Sequence, residues 1–246
     1  MNYFSNLLKE SALKEGIELN ASTLGKLQIY FEMLMGWNKR INLTSITEEK
    51  DVVIKHFLDS LVLLKHLNIP ENAKTIDVGT GAGFPGLVLK IVRPDLRVSL
   101  LDSLNKRLRF IAEVVGDLRL RDVELMHFRA EFAGKMEIYR EQYDFALARA
   151  VAPMSQLLEY CVPFIKKNGQ FIAMKSKKAQ KEIEESEIAA TALGAKYEDC
   201  SEFNLPGGIY RCLVFYRKIH STPKRYPRQT GQIRKKELGK VKVRVV

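Results

Sequence analysis

The chain has 246 residues, 46% of them hydrophobic, which is enough for one α/β domain with a sizeable core and an extension. Its three cysteines are widely spaced and form no C-x-x-C pair, which argues against a disulfide framework or zinc site and predicts a reducing, cytoplasmic location. We find neither a secretory signal nor an apolar run of membrane-spanning length, so no membrane partner is expected.

Residues 1–70 are predicted to form an N-terminal helical cap. Ser22 or Thr23 is expected to cap the second helix, because short polar side chains satisfy free N–H groups there. Apolar residues recur at helical spacing in three stretches, 3–16, 22–37 and 47–66.

Strands and helices are predicted to alternate over residues 71–220, which indicates a doubly wound α/β sheet. The predicted strands are 75–79, 97–102, 123–127, 143–149 and 169–175. The predicted helices are 85–92, 105–116, 132–140, 153–161 and 177–193. Two further β-prone runs, 196–204 and 210–218, flank a Pro-Gly-Gly turn and predict a closing antiparallel hairpin.

The last residues, 221–246, are predicted to be a basic tail that is loop-like or disordered when free. Residues 217–246 carry a net charge of +10 of the whole chain's +11, so the body is nearly neutral. A basic arm on a neutral body indicates a polyanionic partner, and Tyr226 adds a candidate base-stacking ring. We expect deletion of 222–246 to weaken RNA binding and to leave cofactor affinity unchanged.

The turn after the first predicted strand carries glycines at alternating positions, Gly79, Gly81 and Gly83. Glycine permits positive φ and lets a ligand approach the backbone without a Cβ in the way. Asp102 ends the next strand 23 residues after Gly79, close to the spacing of an acidic residue that binds ribose hydroxyls. The pair predicts a nucleotide-type cofactor at a strand-to-helix turn.

Two cofactors compete for this turn. Gly81, Gly83 and Gly86 fit the dinucleotide pattern G-x-G-x-x-G, which would make the chain an NAD-dependent oxidoreductase. Asp77 and the alternating glycines instead read D-x-G-x-G-x-G, which resembles the first motif of the class I S-adenosyl-L-methionine (AdoMet) methyltransferases. A carboxylate at Asp77 suits the positive charges of AdoMet and would repel a pyrophosphate. The predicted closing hairpin also favours the methyltransferase fold, although a non-catalytic RNA-binding module stays a third hypothesis.

A wider set of motifs resembles the bacterial ribosomal RNA small subunit methyltransferase G family, also called glucose-inhibited division protein B. The resemblance spans the chain from residue 1 to about Arg228 and becomes weaker from about Arg234. Its motifs are Trp37-Asn38 with Asn42-Leu43-Thr44, His56-Phe57-Leu58-Asp59-Ser60, the glycine turn Asp77 to Gly86, Asp102 to Arg107, and Arg149-Ala150-Val151-Ala152.

This resemblance implies a methyltransferase that uses AdoMet and acts on N7 of a guanosine in 16S rRNA, in the small ribosomal subunit or its assembly precursor. It also implies that Gly79, Phe84, Ala130, Glu131 and Arg149 line the AdoMet site. We predict the following cofactor-binding set, with Arg149 also catalytic: Gly79, Thr80, Gly81, Gly83, Phe84, Asp102, Ser103, Ala130, Glu131 and Arg149. No metal is expected, and the chain is expected to be a monomer.

The residues allow this chemistry without a general base, because guanine N7 has an in-plane lone pair and no proton. The chain after the fourth strand reads Ala-Arg-Ala-Val-Ala-Pro rather than Asn/Asp-Pro-Pro-Tyr/Phe, which argues against methylation of an exocyclic amine. No cysteine follows a proline, which argues against a covalent route to a pyrimidine. Lys175, at the end of the fifth strand, is a candidate contact for the RNA backbone.

Overall fold

The computed structural model describes residues 2–149, 152–176 and 179–239. The chain packs as two compact units, one formed by residues up to Phe128 together with Phe203–Tyr210 and the other by Arg129–Glu202 with Arg211 onward. This division follows another line than the predicted domains 1–70, 71–220 and 221–246, and those limits stay a prediction.

The first unit begins with helices, as predicted for residues 1–70. Asn20 rather than Ser22 or Thr23 caps the second helix, because the Asn20 side chain accepts from the Thr23 N–H at 2.8 Å. The third predicted helix is not continuous, since its middle is a π-helical stretch. The helices are α1 Tyr3–Lys14, α2 Ala21–Asn38, α3 Glu49–Val52, the π-helix Val53–Leu58, α4 Asp59–Leu61 and α5 Leu63–His66.

Three parallel strands follow in the first unit, in the order β3-β2-β1. β1 and β2 are buried at all but their first residues, which explains the apolar runs that predicted them. In β3, at the edge of this group, only Met126 is buried. In register, Asp77 lies opposite Leu100 and Asp102 opposite His127. The elements are β1 Lys74–Val78, α6 Gly86–Val92, β2 Arg97–Asp102, α7 Asn105–Asp117 and β3 Val123–His127.

The second unit holds β4 (Tyr143–Arg149), β5 (Ile165–Lys175) and the parts of β6 (Ala195–Leu205) and β7 (Ile209–Lys218) that lie outside Phe203–Tyr210. Their order is β4-β5-β7-β6, with β4 parallel and β7 antiparallel to β5. The predicted closing hairpin is therefore present, and its turn lies between Leu205 and Ile209. The elements are α8 Ala130–Ala133, β4 Tyr143–Arg149, α9 Met154–Cys161, a 3₁₀ turn Val162–Phe164, β5 Ile165–Lys175, α10 Ala179–Ala192, β6 Ala195–Leu205, β7 Ile209–Lys218 and α11 Thr230–Lys235.

Two predictions for the second unit are wrong. The helix predicted over 132–140 is a single turn, Ala130–Ala133, and residues 134–140 form successive turns. The predicted basic tail is not a free segment as far as residue 239: it contains helix α11, and Tyr226 and Ile233 are 7% and 0% exposed. Residues 150 and 151 of the last family motif and the start of the predicted helix at 177 lie outside the described residues.

Candidate functional site

The glycine turn between β1 and α6 has the backbone conformation that its sequence predicts. Gly79, Gly81 and Gly83 all have positive φ, at +77°, +62° and +102°. A Cβ placed on Gly81 would meet no atom within 4 Å, so the turn faces open space there. At Gly81 the turn therefore offers unobstructed backbone to a ligand, which is the fit that an AdoMet-type group needs.

Asp102 is joined to this turn by its carboxylate. Its Oδ2 accepts from the Gly81 N–H at 3.0 Å and from Arg107 Nη1 at 3.1 Å, and its Oδ1 accepts from the Leu104 N–H at 2.8 Å. Asp102 is 3% exposed. The structure thus joins Asp102 to the glycine turn through Gly81, whereas the spacing that predicted the site was measured from Gly79. It also shows that Asp102 orders the start of α7.

Asp77 has a different environment from the one expected. The Asp77 side chain is fully buried, and its Oδ2 accepts from the Thr80 hydroxyl and from the Gly86 N–H, both at 2.8 Å. Asp77 therefore has a structural role inside the turn, and the hypothesis that its charge suits the positive charges of AdoMet stays a prediction. Thr80, predicted to bind cofactor, donates its hydroxyl hydrogen to Asp77.

Phe84 belongs to an aromatic cluster of the first unit rather than to an open surface. Its ring stacks on His56 at 4.8 Å and on Tyr30 at 5.2 Å between centroids, and it meets Phe57 edge-on. Phe84 is 3% exposed. Its aromatic side chain therefore packs in the core, and a cofactor contact through the ring is not supported by this position.

Tyr30 is a contributor that the sequence did not single out. Its hydroxyl donates to the Ala82 carbonyl inside the glycine turn, and a Cβ on Gly83 would lie 2.6 Å from that hydroxyl oxygen. Its sequence signal was only membership of the apolar stripe of α2. The helical residues thus fix the turn through a tyrosine that ordinary helix periodicity assigns to the core.

The motif around Asn42 and Thr44 caps a turn. Asn38, not Asn42, makes the key contacts, since its Oδ1 accepts from the N–H groups of Leu43 and Thr44 at 2.8 and 3.0 Å. The Thr44 hydroxyl lies 2.8 Å from His56 Nε2. His56 is accordingly a core histidine with a hydroxyl partner.

The other predicted first-unit residue, Ser103, is exposed and directly follows β2. Its carbonyl lies 3.2 Å from His127 Nε2, at the ends of two adjacent parallel strands. Ligands of such sheets bind outside the carboxyl ends of the strands, so Ser103 has a suitable place.

The second unit carries the remaining predicted residues, Ala130, Glu131 and Arg149. Ala130 and Glu131 begin the single-turn helix α8 and are half-buried. Arg149 is the last residue of β4 and is also half-buried. Burial and the negative charge of Glu131 raise the pKa of Tyr160, while a hydrogen bond from Arg234 opposes the rise.

Lys175 is held in an ion pair rather than presented to a partner. Its Nζ lies 2.6 Å from Glu182 Oε2 and donates to the Ala152 carbonyl at 3.1 Å. Glu182 also accepts from the Met154 N–H at 2.8 Å. These contacts order the start of α9, and the proposed RNA contact of Lys175 is not supported.

One group of metal-ligand types occurs within the described residues, on the hairpin. The sulfur atoms of Cys200 and Cys212 and a carboxylate oxygen of Glu202 lie within 4.8 Å of one another. Burial, followed by the proximity of Cys200, raises the pKa of Cys212 to about 12. The Cys212 thiol is therefore protonated at neutral pH, and the expectation of no metal stays a prediction.

No helix within the described ranges combines the length and the apolarity needed to cross a bilayer.

Comparison with known proteins bears directly on this site. The family model described as rRNA small subunit methyltransferase G matches residues 23–206. A protein named ribosomal RNA small subunit methyltransferase G from Thermoanaerobacter pseudethanolicus is 47% identical over 94% of this chain and 97% of its own length. One of the same name from Alkaliphilus metalliredigens is 45% identical, with 94% and 98% covered.

Among solved structures, the crystal structure of M. jannaschii TYW2 in complex with AdoMet is similar to this chain, with a TM-score of 0.51. The identity is 16%, and the match covers 65% of this chain and 77% of that one. At this identity the likeness shows the fold alone. It confirms the predicted class I methyltransferase fold with its closing hairpin.

Proposed function

The chain belongs to the rRNA small subunit methyltransferase G family, and on this premise we propose that it methylates N7 of a guanosine in 16S rRNA. Its AdoMet dependence and its rRNA substrate follow from the family and confirm those predictions. The observation that carries the proposal is the family match over residues 23–206. The matched region includes the glycine turn, in which the Gly81 N–H donates a hydrogen bond to Asp102. The family match argues against the alternative of an NAD-dependent oxidoreductase.

The proposed acceptor atom suits a site without a dedicated base. When bound, AdoMet supplies a methyl group on a sulfonium, and guanine N7 offers a lone pair without a proton to remove. The task left to the protein is to hold both partners in line at about 3–3.5 Å, which is catalysis by positioning. Exclusion of water and a fixed backbone then matter more than any titrating group.

The first-unit residues have the following proposed roles. The backbone of Gly79, Thr80, Gly81 and Gly83 forms the surface against which the donor lies, because this turn has positive φ and open space at Gly81. Asp102 keeps that turn in register with β2 through the Gly81 N–H and offers its remaining lone pairs to ribose hydroxyls.

Of the remaining predicted residues, Phe84 packs its side chain in the core, and the others are proposed to contact the cofactor or the RNA. Phe84 contributes its backbone, since its ring packs in the core. Ser103 is available at the end of β2, and the backbone of Ala130 and Glu131 is proposed to meet the adenine. Arg149 is proposed to be the catalytic residue, contacting the donor or holding guanine O6 and a phosphate through its fork of donors.

The partner surface is proposed to be the basic C-terminal segment. Of the basic residues from Arg217 onward, Arg217, Lys218 and Arg228 are in ion pairs with carboxylates. The basic side chains that are exposed in the described part of this segment are Lys224, Arg225, Arg234, Lys235 and Lys236. Tyr226 is buried, with the Arg225 guanidinium 5.0 Å from its ring centroid, so it is not a free stacking ring.

The direct experiment is transfer of label from methyl-labelled AdoMet to unmodified small ribosomal subunits, assembly precursors and protein-free 16S rRNA, each with the full chain. The modified nucleotide is then identified by mass spectrometry of rRNA fragments. We expect 7-methylguanosine at one position of 16S rRNA. Label on an exocyclic amine or a pyrimidine would refute the N7 assignment, and no transfer to any of the three substrates would favour the non-catalytic RNA-binding alternative.

Arg149→Ala tests the catalytic assignment, with Arg121→Ala as the matched control because Arg121 is exposed in the first unit. We expect Arg149→Ala to lose most turnover and Arg121→Ala to keep it. Full turnover by Arg149→Ala would remove Arg149 from the mechanism. A monomeric state and a cytoplasmic location stay predictions, which sedimentation and cell fractionation test.

A further inference from the structure

The segment 219–239, here called the C-terminal strap, lies beyond residue 206, where the family match ends. The sequence predicted that residues 221–246 form a basic tail that is loop-like or disordered when free. In the structure the strap is held against the second unit along its length: Thr222 and Tyr226 are buried, and Ile233 in α11 is completely buried.

Arg140 fastens the strap to the turn that follows α8. Its Nη1 donates to the carbonyls of Gly134 and Tyr226, both at 2.9 Å. Its Nη2 donates to the carbonyls of Thr222 and Pro223 at 2.6 and 3.3 Å. One guanidinium therefore joins three strap carbonyls to Gly134, the C-cap residue of the Ala130–Ala133 helix.

The strap also packs directly on this turn. A Cβ on Gly134 would lie 3.2 Å from the Ala130 carbonyl oxygen and 3.3 Å from Pro227 Cγ. Gly134, the C-cap residue of α8, thus leaves just enough room for Pro227 of the strap to lie beside it. A four-residue helix has little stability of its own, because too few backbone hydrogen bonds offset its ordering cost.

Arg228, the residue after Pro227, anchors the strap to Glu159 in α9. Its Nε and Nη2 donate to the two carboxylate oxygens of Glu159 at 2.9 and 2.7 Å, and its backbone N–H donates to the same carboxylate at 2.8 Å. Glu159 is 0% exposed. A two-pronged pair with a buried carboxylate fixes orientation as well as position.

The C-terminal part of the strap contacts the helix α9. Arg234 in α11 hydrogen-bonds Tyr160, whose hydroxyl lies within the electrostatic influence of Glu131. Glu237 accepts from the Ser155 hydroxyl at 2.7 Å and from Gln156 at 3.2 Å. The strap therefore contacts both the C-cap residue of α8 and the helix α9, which packs against α8.

We infer that the C-terminal strap is a structural part of the cofactor site, in which Arg140 and Arg228 act as positioning residues that hold the Ala130–Glu131 turn in its ligand-binding conformation. The inference rests on the proposed function, which assigns that turn to AdoMet. It revises the expectation drawn from the sequence, since removal of 222–246 should now weaken AdoMet binding as well as RNA binding.

The test measures AdoMet affinity by calorimetry for the full chain, Arg228→Gln and the control Lys224→Gln. Both variants lose one positive charge from the strap, but Lys224 is exposed whereas Arg228 holds Glu159. We expect Arg228→Gln to raise the AdoMet Kd about tenfold, because small misplacements of positioned groups are costly. Lys224→Gln should leave the AdoMet Kd unchanged.

The KM values for RNA and for AdoMet, measured on the same variants, separate an effect of lost charge from an effect on the cofactor site. The KM for RNA should rise in Lys224→Gln, which removes an exposed charge of the proposed RNA surface, whereas the KM for AdoMet should rise only in Arg228→Gln. A role confined to global stability would lower the melting temperature without this split. Equal AdoMet Kd values for Arg228→Gln and the unmodified chain would overturn the inference.

If the unpaired Glu159 prevents Arg228→Gln from folding, the double variant Glu159→Gln/Arg228→Gln removes both charges and avoids a lone buried carboxylate. A folded double variant with unchanged AdoMet affinity would contradict the inference, and one with weakened affinity would support it. Failure of the proposed function is distinguishable, because the unmodified chain itself would then not bind AdoMet.

Discussion

The carboxylate of Asp77 accepts a hydrogen bond from the backbone N–H of Gly86 at 2.8 Å, across the whole length of the cofactor turn. The same oxygen accepts from the Thr80 hydroxyl, so one buried carboxylate fixes both the entry and the exit of the turn. The turn is thereby held open in a single conformation before any ligand arrives, which lowers the ordering cost of binding.

This relationship makes Gly86→Ala strongly destabilising. A Cβ there would lie 2.6 Å from Leu100 Cδ2 and 2.8 Å from Asp77 Cβ, so α6 would have to move away from the sheet. We expect a loss of about 1–3 kcal/mol of unfolding free energy, typical of an overpacked core. Urea denaturation measures it.

The matched control is Gly25→Ala in the exposed middle of α2, where a Cβ meets nothing within 4 Å. That change should stabilise the chain by about 0.5–1 kcal/mol, the difference in helix propensity. Similar unfolding free energies for the two variants would show that the close contact at Gly86 is readily relieved.

Asp102→Ala should weaken AdoMet binding without unfolding the chain. The change removes the acceptor for the Gly81 N–H and the partner of Arg107. Hydrogen bonds to a charged group contribute about 1.5–3 kcal/mol, so the AdoMet Kd should rise by roughly one to two orders of magnitude. Calorimetric titration measures the change, and Asp117→Ala at the exposed end of α7 is the control. Equal affinities would remove Asp102 from the site.

Lys218 should make stability depend on pH in a defined window. Burial lowers the pKa of this lysine to about 8, although the nearby Glu141 opposes the shift and Arg140 adds to it. Between this value and the ordinary pKa of 10.5 the unfolded chain binds more protons than the folded one, so this contribution to stability increases as pH rises.

We expect the unfolding free energy of the unmodified chain, minus that of Lys218→Met, to increase by about 2 kcal/mol from roughly pH 7.5 to 9.5. Groups that titrate in both proteins cancel in this difference. The exposed Lys224→Met should give a flat difference. A difference that stays constant for Lys218→Met would mean that its amine titrates normally.

Cys212 should react slowly with alkylating reagents in the native state. Its pKa is raised to about 12, chiefly by burial, and only the thiolate is nucleophilic. At about pH 8 its alkylation by iodoacetamide should be on the order of 10³-fold slower than after unfolding in urea. Mass spectrometry of the peptide that contains Cys212 follows both rates, and equal rates would show a normal, accessible thiol.

Local sequence signals were sufficient for much of the fold. Strands 97–102, 123–127 and 143–149 were predicted with the observed limits, because a short apolar run bounded by turn residues carries its own signal. The glycine turn and its partner Asp102 were also evident, since positive φ and motif spacing depend on residues close in sequence.

Tertiary packing decided the rest. Helix periodicity at 132–140 was overridden because Arg140 bonds strap carbonyls and Pro227 lies against Gly134. A net charge of +10 over residues 217–246 could not reveal that Arg228 meets a buried Glu159 far away in the chain. The sequence by itself determined the elements and the cofactor turn, because these depend on local conformation, whereas the structural role of the basic segment depends on partners that only folding brings into contact.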